Sequence, residues 1–342
     1  MKELRYKKQT IFYKSAEQMD ELDDGAIDAI ITSPPYNVGK DYSANGQKYD
    51  DKQDYIDYLD SLERVFVECY RVASEKCLFF LNIGDSAKHQ GKSEDVVRRA
   101  EKAGFTRLQT VIWVKSIFGK GHYTPSGRNR RLNNLWEYVF ILYKTKKYKM
   151  QPKRIGIPYS DKSNVGRYSK VDRRDAGDIW FIPYTKTTGA TIKKGHEAPF
   201  PVELPYRCLQ LVKNPMTVLD PFTGTGSTLS AAQELGITGY GYEILPREDV
   251  IRGRLSEDVH VIKTPLLPQM EIYIDFLTEF VNKLIKDVPK VDISEILDDF
   301  NIVPRRHFAW ACSDLQLSPE FVDLIKKNKK VFPPGKYDFD DS

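Results

Sequence analysis

The chain has 342 residues, of which 41% are apolar and 29% charged, with a formal net charge of +4. That is the composition of a globular protein long enough to bury a sizeable core, as one large domain or two smaller ones, and it excludes a disordered chain. No apolar run approaches the roughly 20 residues that span a bilayer, which excludes a helical membrane protein.

Cys69, Cys77, Cys208 and Cys312 form no CxxC pair, and the five histidines make no cluster at metal-ligand spacing. No metal site and no disulfide framework is expected. The basic N-terminus runs into Lys14, Ser15, Glu17 and Gln18, where a secretory signal would keep an apolar core, so a cytoplasmic protein without a membrane partner is expected.

In chain order, residues 26–31 (AIDAII) are a short apolar run ending near a double proline. They read as a buried strand that delivers Ser33, Pro34, Pro35 and Tyr36 into a loop. Over 55–71, Leu59, Leu62, Phe66 and Cys69 fall on one helical face. Residues 77–83 (CLFFLNI) read as a second buried strand, and 111–114 and 138–143 as further strands flanking a polar stretch with Gly119, Gly121, Pro125 and Gly127. From 144 to 195 the periodicity fades into Lys, Arg, Gly, Ser and Tyr, as in long functional loops. Beyond His196 the pattern predicts a helix over 203–212, a strand over 216–219, a glycine turn, a helix over 227–235 and a strand over 240–244. The remainder, 256–342, turns to acidic amphipathic helices such as 272–286 and carries no chemical motif. Strand and helix patterns that alternate in this way predict an α/β protein with a doubly wound, mostly parallel sheet.

Charge is unevenly spread. Residues 115–175 hold 16 Lys and Arg against 4 Asp and Glu, a local +12 that leaves the rest of the chain near −8. A short charge run is more often a solvated face. Here Tyr123, Trp136, Tyr143, Tyr148, Tyr159 and Tyr168 interleave with the cations, as on a surface that meets both phosphates and bases.

Two motifs carry chemistry. Asp220, Pro221, Phe222, Thr223, Gly224, Thr225 and Gly226 follow a strand and open a helix, the layout that brings a ligand close to backbone amides. Alone, such glycines could simply permit a tight turn. Glu243 ends the next strand, as an acceptor for a ribose diol does, and no lysine follows the glycines as in a phosphate-binding loop. A nucleoside without a phosphate chain fits best. The second motif, Ser33-Pro34-Pro35-Tyr36, is expected by chance in on the order of a few per thousand chains of this length. Two prolines remove amide donors and leave carbonyls, an acceptor-rich turn suited to the two N–H donors of an exocyclic amine. The Ser33 hydroxyl and the Pro34 carbonyl would hold the amine, and Tyr36 would stack on the base.

Together these motifs resemble the permuted, beta-class DNA amino-methyltransferases, in which the catalytic tetrapeptide precedes the cofactor loop. The resemblance covers about residues 10–250 and includes Asn82-Ile83-Gly84-Asp85, Ile112-Trp113-Val114-Lys115, His196 to Pro205 and Tyr240 to Glu243. It implies a Rossmann-like S-adenosylmethionine-dependent methyltransferase fold with a target-recognition insertion and a helical C-terminal extension. The corresponding divisions are a catalytic half at 1–118, a basic recognition region at 119–195, a cofactor half at 196–255 and an extension at 256–342. It implies S-adenosylmethionine contacts from Ser15, Thr32, His196, Pro199, Phe200, Asp220, Pro221, Phe222, Gly224, Gly226, Ser227, Thr228 and Glu243. The permuted order is physically reasonable, because strands ending at Thr32 and Asp220 can lie side by side at a topological switch point.

Carbon-5 cytosine methylation needs a cysteine that follows a proline in that family, and none of the four cysteines does. Amine transfer to a flipped base is left, with most of the rate expected from positioning and desolvation. In the resembling family a first-position Ser usually accompanies N4-cytosine enzymes and Asp N6-adenine enzymes, so N4 of cytosine is expected and N6 of adenine is the alternative. Double-stranded DNA is the expected partner, met by Lys40, Lys115, Arg128, Arg130, Arg131, Arg173 and Arg174. A cognate restriction endonuclease would be a separate protein, and the chain itself a monomer or homodimer. An RNA or protein amine methyltransferase usually shows Asn first and the opposite motif order. A non-catalytic nucleic-acid-binding module is the alternative from another class, and it would not bind S-adenosylmethionine.

Overall fold

The computed structural model describes residues 3–37, 53–86, 89–115, 134–156, 159, 163, 165–167, 172–182 and 200–256. All lie in the first of two units, Met1–Pro265. Lys40, Arg128, Arg130, Arg131, His196 and Pro199, most of the basic stretch and the acidic helices expected beyond 256 lie outside the described residues.

Among the described residues, nine strands form one sheet: β1 (Glu3–Tyr6), β2 (Gln9–Phe12), β3 (Ile27–Thr32), β4 (Ala73–Ile83), β5 (Thr106–Val114), β6 (Trp136–Tyr143), β7 (Ile179–Phe181), β8 (Thr217–Asp220) and β9 (Thr238–Tyr242). Their spatial order is β1-β2-β9-β8-β3-β4-β6-β5-β7. From β2 through β4 every pairing is parallel, whereas β6 runs antiparallel to both β4 and β5. The doubly wound, mostly parallel sheet is therefore present with one reversed inner strand and a hairpin, β1-β2, on one edge. Lys7 turns that hairpin with φ 51°, the left-handed conformation that suits a two-residue connection.

Among the described residues, five α-helices cover the sheet: α1 (Tyr55–Val72), α2 (Lys92–Lys102), α3 (Glu203–Leu211), α4 (Ser227–Glu234) and α5 (Glu248–Ser256). α1 starts where the Asp54 carboxylate accepts from the Ile56 amide, satisfying one of its free N–H groups. Its stripe of Leu59, Leu62, Val65, Phe66 and Cys69 is buried. The strands alternate between two cores. Ile27, Ile30, Phe79 and Leu81 face α1 and α2, while Ala29, Ile31, Leu78 and Phe80 face α3 and α4. β3 leads through α1 to β4 on one side, and β8 leads through α4 to β9 on the other. The two chains diverge between β3 and β8, so their C-terminal ends flank the crevice where open α/β sheets bind ligands.

Some boundaries differ from expectation. The strand expected over 240–244 is β9, which ends at Tyr242. Beyond it the Glu243 amide donates to the Phe12 carbonyl at the end of β2, and the chain leaves the ladder there. Part of the stretch from 144 to 195 is built into the main body. β7 pairs with β5, Met150 bridges to Val212, and the Lys144 ammonium donates to the Tyr70 and Ala73 carbonyls. Among the described residues no helix is long and apolar enough to cross a membrane.

Candidate active site

The loop after β3 is anchored by side chains from three other elements. The Tyr58 hydroxyl on α1 donates to the Pro35 carbonyl at 2.9 Å. Lys92, on the first turn of α2 and only 1% exposed, donates to the Tyr36 carbonyl at 2.8 Å and lies over the Tyr36 ring at 4.9 Å. The Tyr36 hydroxyl donates to Glu137 Oε2 on β6 at 2.9 Å and accepts from the Ser33 hydroxyl at 3.3 Å. Glu137 in turn accepts from Asn82 Nδ2 at 3.1 Å and from the Lys115 ammonium at 2.6 Å. Burial and the Glu137 carboxylate push the Tyr36 phenol well above its ordinary value, so it stays a protonated donor.

The loop after β8 is held by its own backbone and by β9. The Thr223 amide donates to the Tyr242 carbonyl, and the Glu243 carboxylate accepts from the Gly224 and Leu245 amides, each at 2.9 Å. Gly226 sits at φ 87° as the residue that caps α4, a left-handed position that glycine occupies without strain. Burial raises the Glu243 carboxyl above the ordinary carboxylate range, against the pull of those amides.

Asp220 joins the two loops. It is 1% exposed, accepting from Thr32 Oγ1 and from Thr228 Oγ1 at 2.6 Å each and from the Phe222 amide at 3.1 Å. Burial pushes its carboxyl up to about 6, opposed by the two threonine hydroxyls. The loop rich in acceptors and the loop rich in glycine thus meet at one buried carboxylate.

The N6/N4 family model described as DNA methylase matches residues 27–248, from β3 into α5 and across both loops. The chain belongs to the DNA methylase family. Type II methyltransferase M.MjaI of Methanocaldococcus jannaschii is 28% identical over 310 residues, covering 80% of this chain and 96% of the relative. Type II methyltransferase M.SmaI of Serratia marcescens is 28% identical over 273 residues, covering 70% of this chain and 89% of the relative. Among solved structures, TTHA0409 from Thermus thermophilus superposes with a TM-score of 0.50 at 25% identity, covering 73% of this chain and 95% of that one. The PvuII DNA methyltransferase (cytosine-N4-specific) superposes with a TM-score of 0.55 over 81% of this chain and 92% of that one. At 15% identity that likeness speaks to the fold, which is the Rossmann-like methyltransferase fold.

S-adenosylmethionine is the methyl donor of this methylase, and its residues fit that group. The Thr225 hydroxyl is buried in the glycine loop without a partner among the described residues, an orphan that a ligand would satisfy. The Glu243 carboxylate lies against the same loop. Beside them, Cβ-less Gly241 lets β9 approach so closely that an added Cβ would run into the Thr223 hydroxyl and Leu229.

Thr32, Asp220, Pro221, Phe222, Gly224, Gly226, Ser227, Thr228 and Glu243 all gather at the crevice end of β3, β8 and β9. Phe200 joins them, as its carbonyl accepts from the Ser227 hydroxyl. Ser15 is exposed beyond the end of β2, its hydroxyl accepting from the Glu17 amide. Arg174 is exposed, while Arg173 donates to the Arg154 carbonyl. Lys115, expected to meet DNA, is 12% exposed and paired with Glu137, which holds the loop after β3. Sequence reasoning missed Glu137, Lys92 and Tyr58, because nothing local marks them.

The described cysteines also bear on the chemistry. Cys69, Cys77 and Cys208 are buried, and burial pushes each thiol up, away from the thiolate a nucleophile needs. Among the described residues no cluster of His, Cys, Asp and Glu could hold a metal ion.

Proposed function

We propose that this methylase is the modification enzyme of a type II restriction–modification system, and that it methylates N4 of a cytosine flipped out of a specific double-stranded DNA sequence. The observation that carries this reading is the Ser33 hydroxyl at the crevice, oriented by Tyr36 beside two proline residues that offer only carbonyls. The names of the relatives M.MjaI and M.SmaI, both type II methyltransferases, support the system assigned.

When bound, S-adenosylmethionine supplies an electrophilic methyl group on a sulfonium. Glu243 would hold the ribose hydroxyls, and the loop at Phe222, Gly224, Gly226, Ser227 and Thr228 would close on the rest of the cofactor. Ser15 and Phe200 would flank it. Ser33 and the Pro34 carbonyl accept the two N–H bonds of the target amine, leaving its nitrogen lone pair facing the methyl group. Tyr36, fixed at its carbonyl and its hydroxyl, stacks on the base with the ring face away from Lys92. Positioning of this kind accounts for much of the acceleration in such a displacement, because little else is asked of the protein. Arg173 and Arg174 are assigned to phosphates outside the pocket. The cognate endonuclease is a separate protein in this reading.

Digestion of enzyme-modified DNA to nucleosides, followed by mass spectrometry, tests the base. N4-methyldeoxycytidine is the expected product. A peak of N6-methyldeoxyadenosine alone would overturn the cytosine assignment and leave the amino-methyltransferase intact.

A further inference from the structure

We infer that Glu137 is a positioning residue for methyl transfer: acting through Tyr36, it turns the Ser33 hydroxyl hydrogen away from the target amine, so that Ser33 meets the amine only as an acceptor. The inference rests on the reading of Ser33 as the residue that holds the amine.

The direction of the chain follows from what each group can do. A carboxylate only accepts, so at 2.9 Å the Tyr36 hydroxyl must spend its single hydrogen on Glu137. The Tyr36 oxygen is then left as an acceptor, and the hydroxyl of Ser33 at 3.3 Å donates into it. Ser33 has one hydrogen and two lone pairs. With the hydrogen committed to Tyr36, the lone pairs face outward.

That direction matters for the reaction. An amine nitrogen attacks through its lone pair, and a hydroxyl that donated to that nitrogen would occupy the pair and slow the attack. A hydroxyl that accepts from an N–H bond does the opposite, raising electron density on nitrogen and aiming the pair elsewhere. Remove the acceptor at the far end and the Tyr36 hydroxyl is free to rotate its hydrogen toward Ser33, which releases the Ser33 hydrogen toward the base.

Glu137 is built to hold one orientation. Its side chain and that of Lys115 are each only 12% exposed and 2.6 Å apart. Asn82 donates to the same carboxylate oxygen as Tyr36, and Gly84 lies so close that an added Cβ would stand 2.7 Å from Glu137 Cγ. Desolvating an ion pair gives little net stability, so its place beneath the catalytic loop is better explained by what it fixes there. β6 pairs with β4, Ile83 opposite Tyr138, and β4 pairs with β3, which delivers Glu137 to a loop 101 residues away.

The test is a two-by-two comparison in the full-length enzyme on a duplex carrying its target, with E137L, which has no side-chain acceptor, S33A and the double variant assayed in single turnover. E137L should lower the transfer rate about a hundredfold, the scale of a misplaced reacting group, while the S-adenosylmethionine Kd and the DNA KM stay within about twofold. In the S33A background E137L should add almost no further loss, because its effect passes through Ser33. Full turnover by E137L, or an equal loss in both backgrounds, overturns the inference. Should E137L not fold, the E137L/K115M pair removes the ammonium left without a partner and carries the same comparison. Near-normal turnover by S33A alone would instead sink the reading of Ser33, a result distinct from either outcome for Glu137.

Discussion

The loops after β3 and β8 lie at the same end of neighbouring strands but are held by opposite means. The first, Ser33 to Tyr36, is fixed from outside by Tyr58, Lys92 and Glu137, whose polar atoms reach it from α1, α2 and β6. The second, Asp220 to Gly226, is fixed through its own backbone amides, which donate to the Tyr242 carbonyl and the Glu243 carboxylate at the end of β9, and by glycines that accept tight or left-handed geometry. In the function proposed, the first loop presents acceptors to an amine and cannot spend them on its own turn, so its supports come from elsewhere. The second, proposed to let a nucleoside approach its backbone, needs the absence of side chains more than their presence. The first should therefore fail when a polar atom is removed, and the second when a carbon is added.

The strongest way to break that contrast is at Ser33. S33A should lower kcat on the order of a thousandfold, comparable to losing one preorganised group at a reacting centre, with S-adenosylmethionine binding by calorimetry unchanged. If cofactor affinity fell along with turnover, the two loops would not be independent.

Asp220, a support they share, gives the next largest effect. Its carboxyl, ordinarily at 3.8, is raised to about 6 in the folded protein. A group raised on folding contributes stability that is fully present below the unfolded value and is lost as pH rises through the folded one. A shift of about 2 units corresponds to at most about 3 kcal/mol. Urea denaturation of wild type and D220N between about pH 4 and 7 should show the wild type losing roughly that much relative to the variant as pH rises, since this carboxyl is the only ionisable group by which the two differ. A difference independent of pH would mean that Asp220 is not held as a buried charge between Thr32 and Thr228.

Much of the fold was legible because its centre follows simple rules. β3 and β4 are buried on both faces and read as continuous apolar runs, and α1 carries a clean apolar stripe behind an Asp cap. β1 and β2 escape notice, as four-residue strands rich in charged and polar side chains are recognisable only once β9 pairs with them. α2 (KSEDVVRRAEK) buries Val96, Val97 and Ala100, too few to stand out among its charges. The two loops were legible because proline and glycine mark backbone that side-chain periodicity cannot explain. Glu137 was not. In sequence it is one charge within a strand, and it is the antiparallel register of β6 on β4, beside β3, that brings it to Tyr36. Lys92 was hidden for a related reason, since a lysine opening a polar helix reads as solvated, yet this one is buried against the loop after β3.

The smallest effect sharpens the other half of the contrast. Gly241 on β9 carries no special backbone angle, so any penalty there comes from space alone. A Cβ at this position would collide with the Thr223 hydroxyl and lie 3.1 Å from Leu229 Cδ1. Thr223 cannot yield without cost, because its buried hydroxyl donates to the Asp220 carbonyl at 3.1 Å and its amide to Tyr242. Rotating it away would forfeit one internal hydrogen bond and overpack the junction between β9 and α4, together about 1 to 2 kcal/mol. G241A should thus lower stability by that amount in urea and weaken S-adenosylmethionine binding about tenfold by calorimetry, as the glycine loop shifts with Thr223. At saturating cofactor its kcat should stay near wild type, because nothing that holds Ser33 is touched. A loss of kcat without a loss of affinity would show that carbon added behind the cofactor loop is felt at the acceptor loop, and the division between the two would fail.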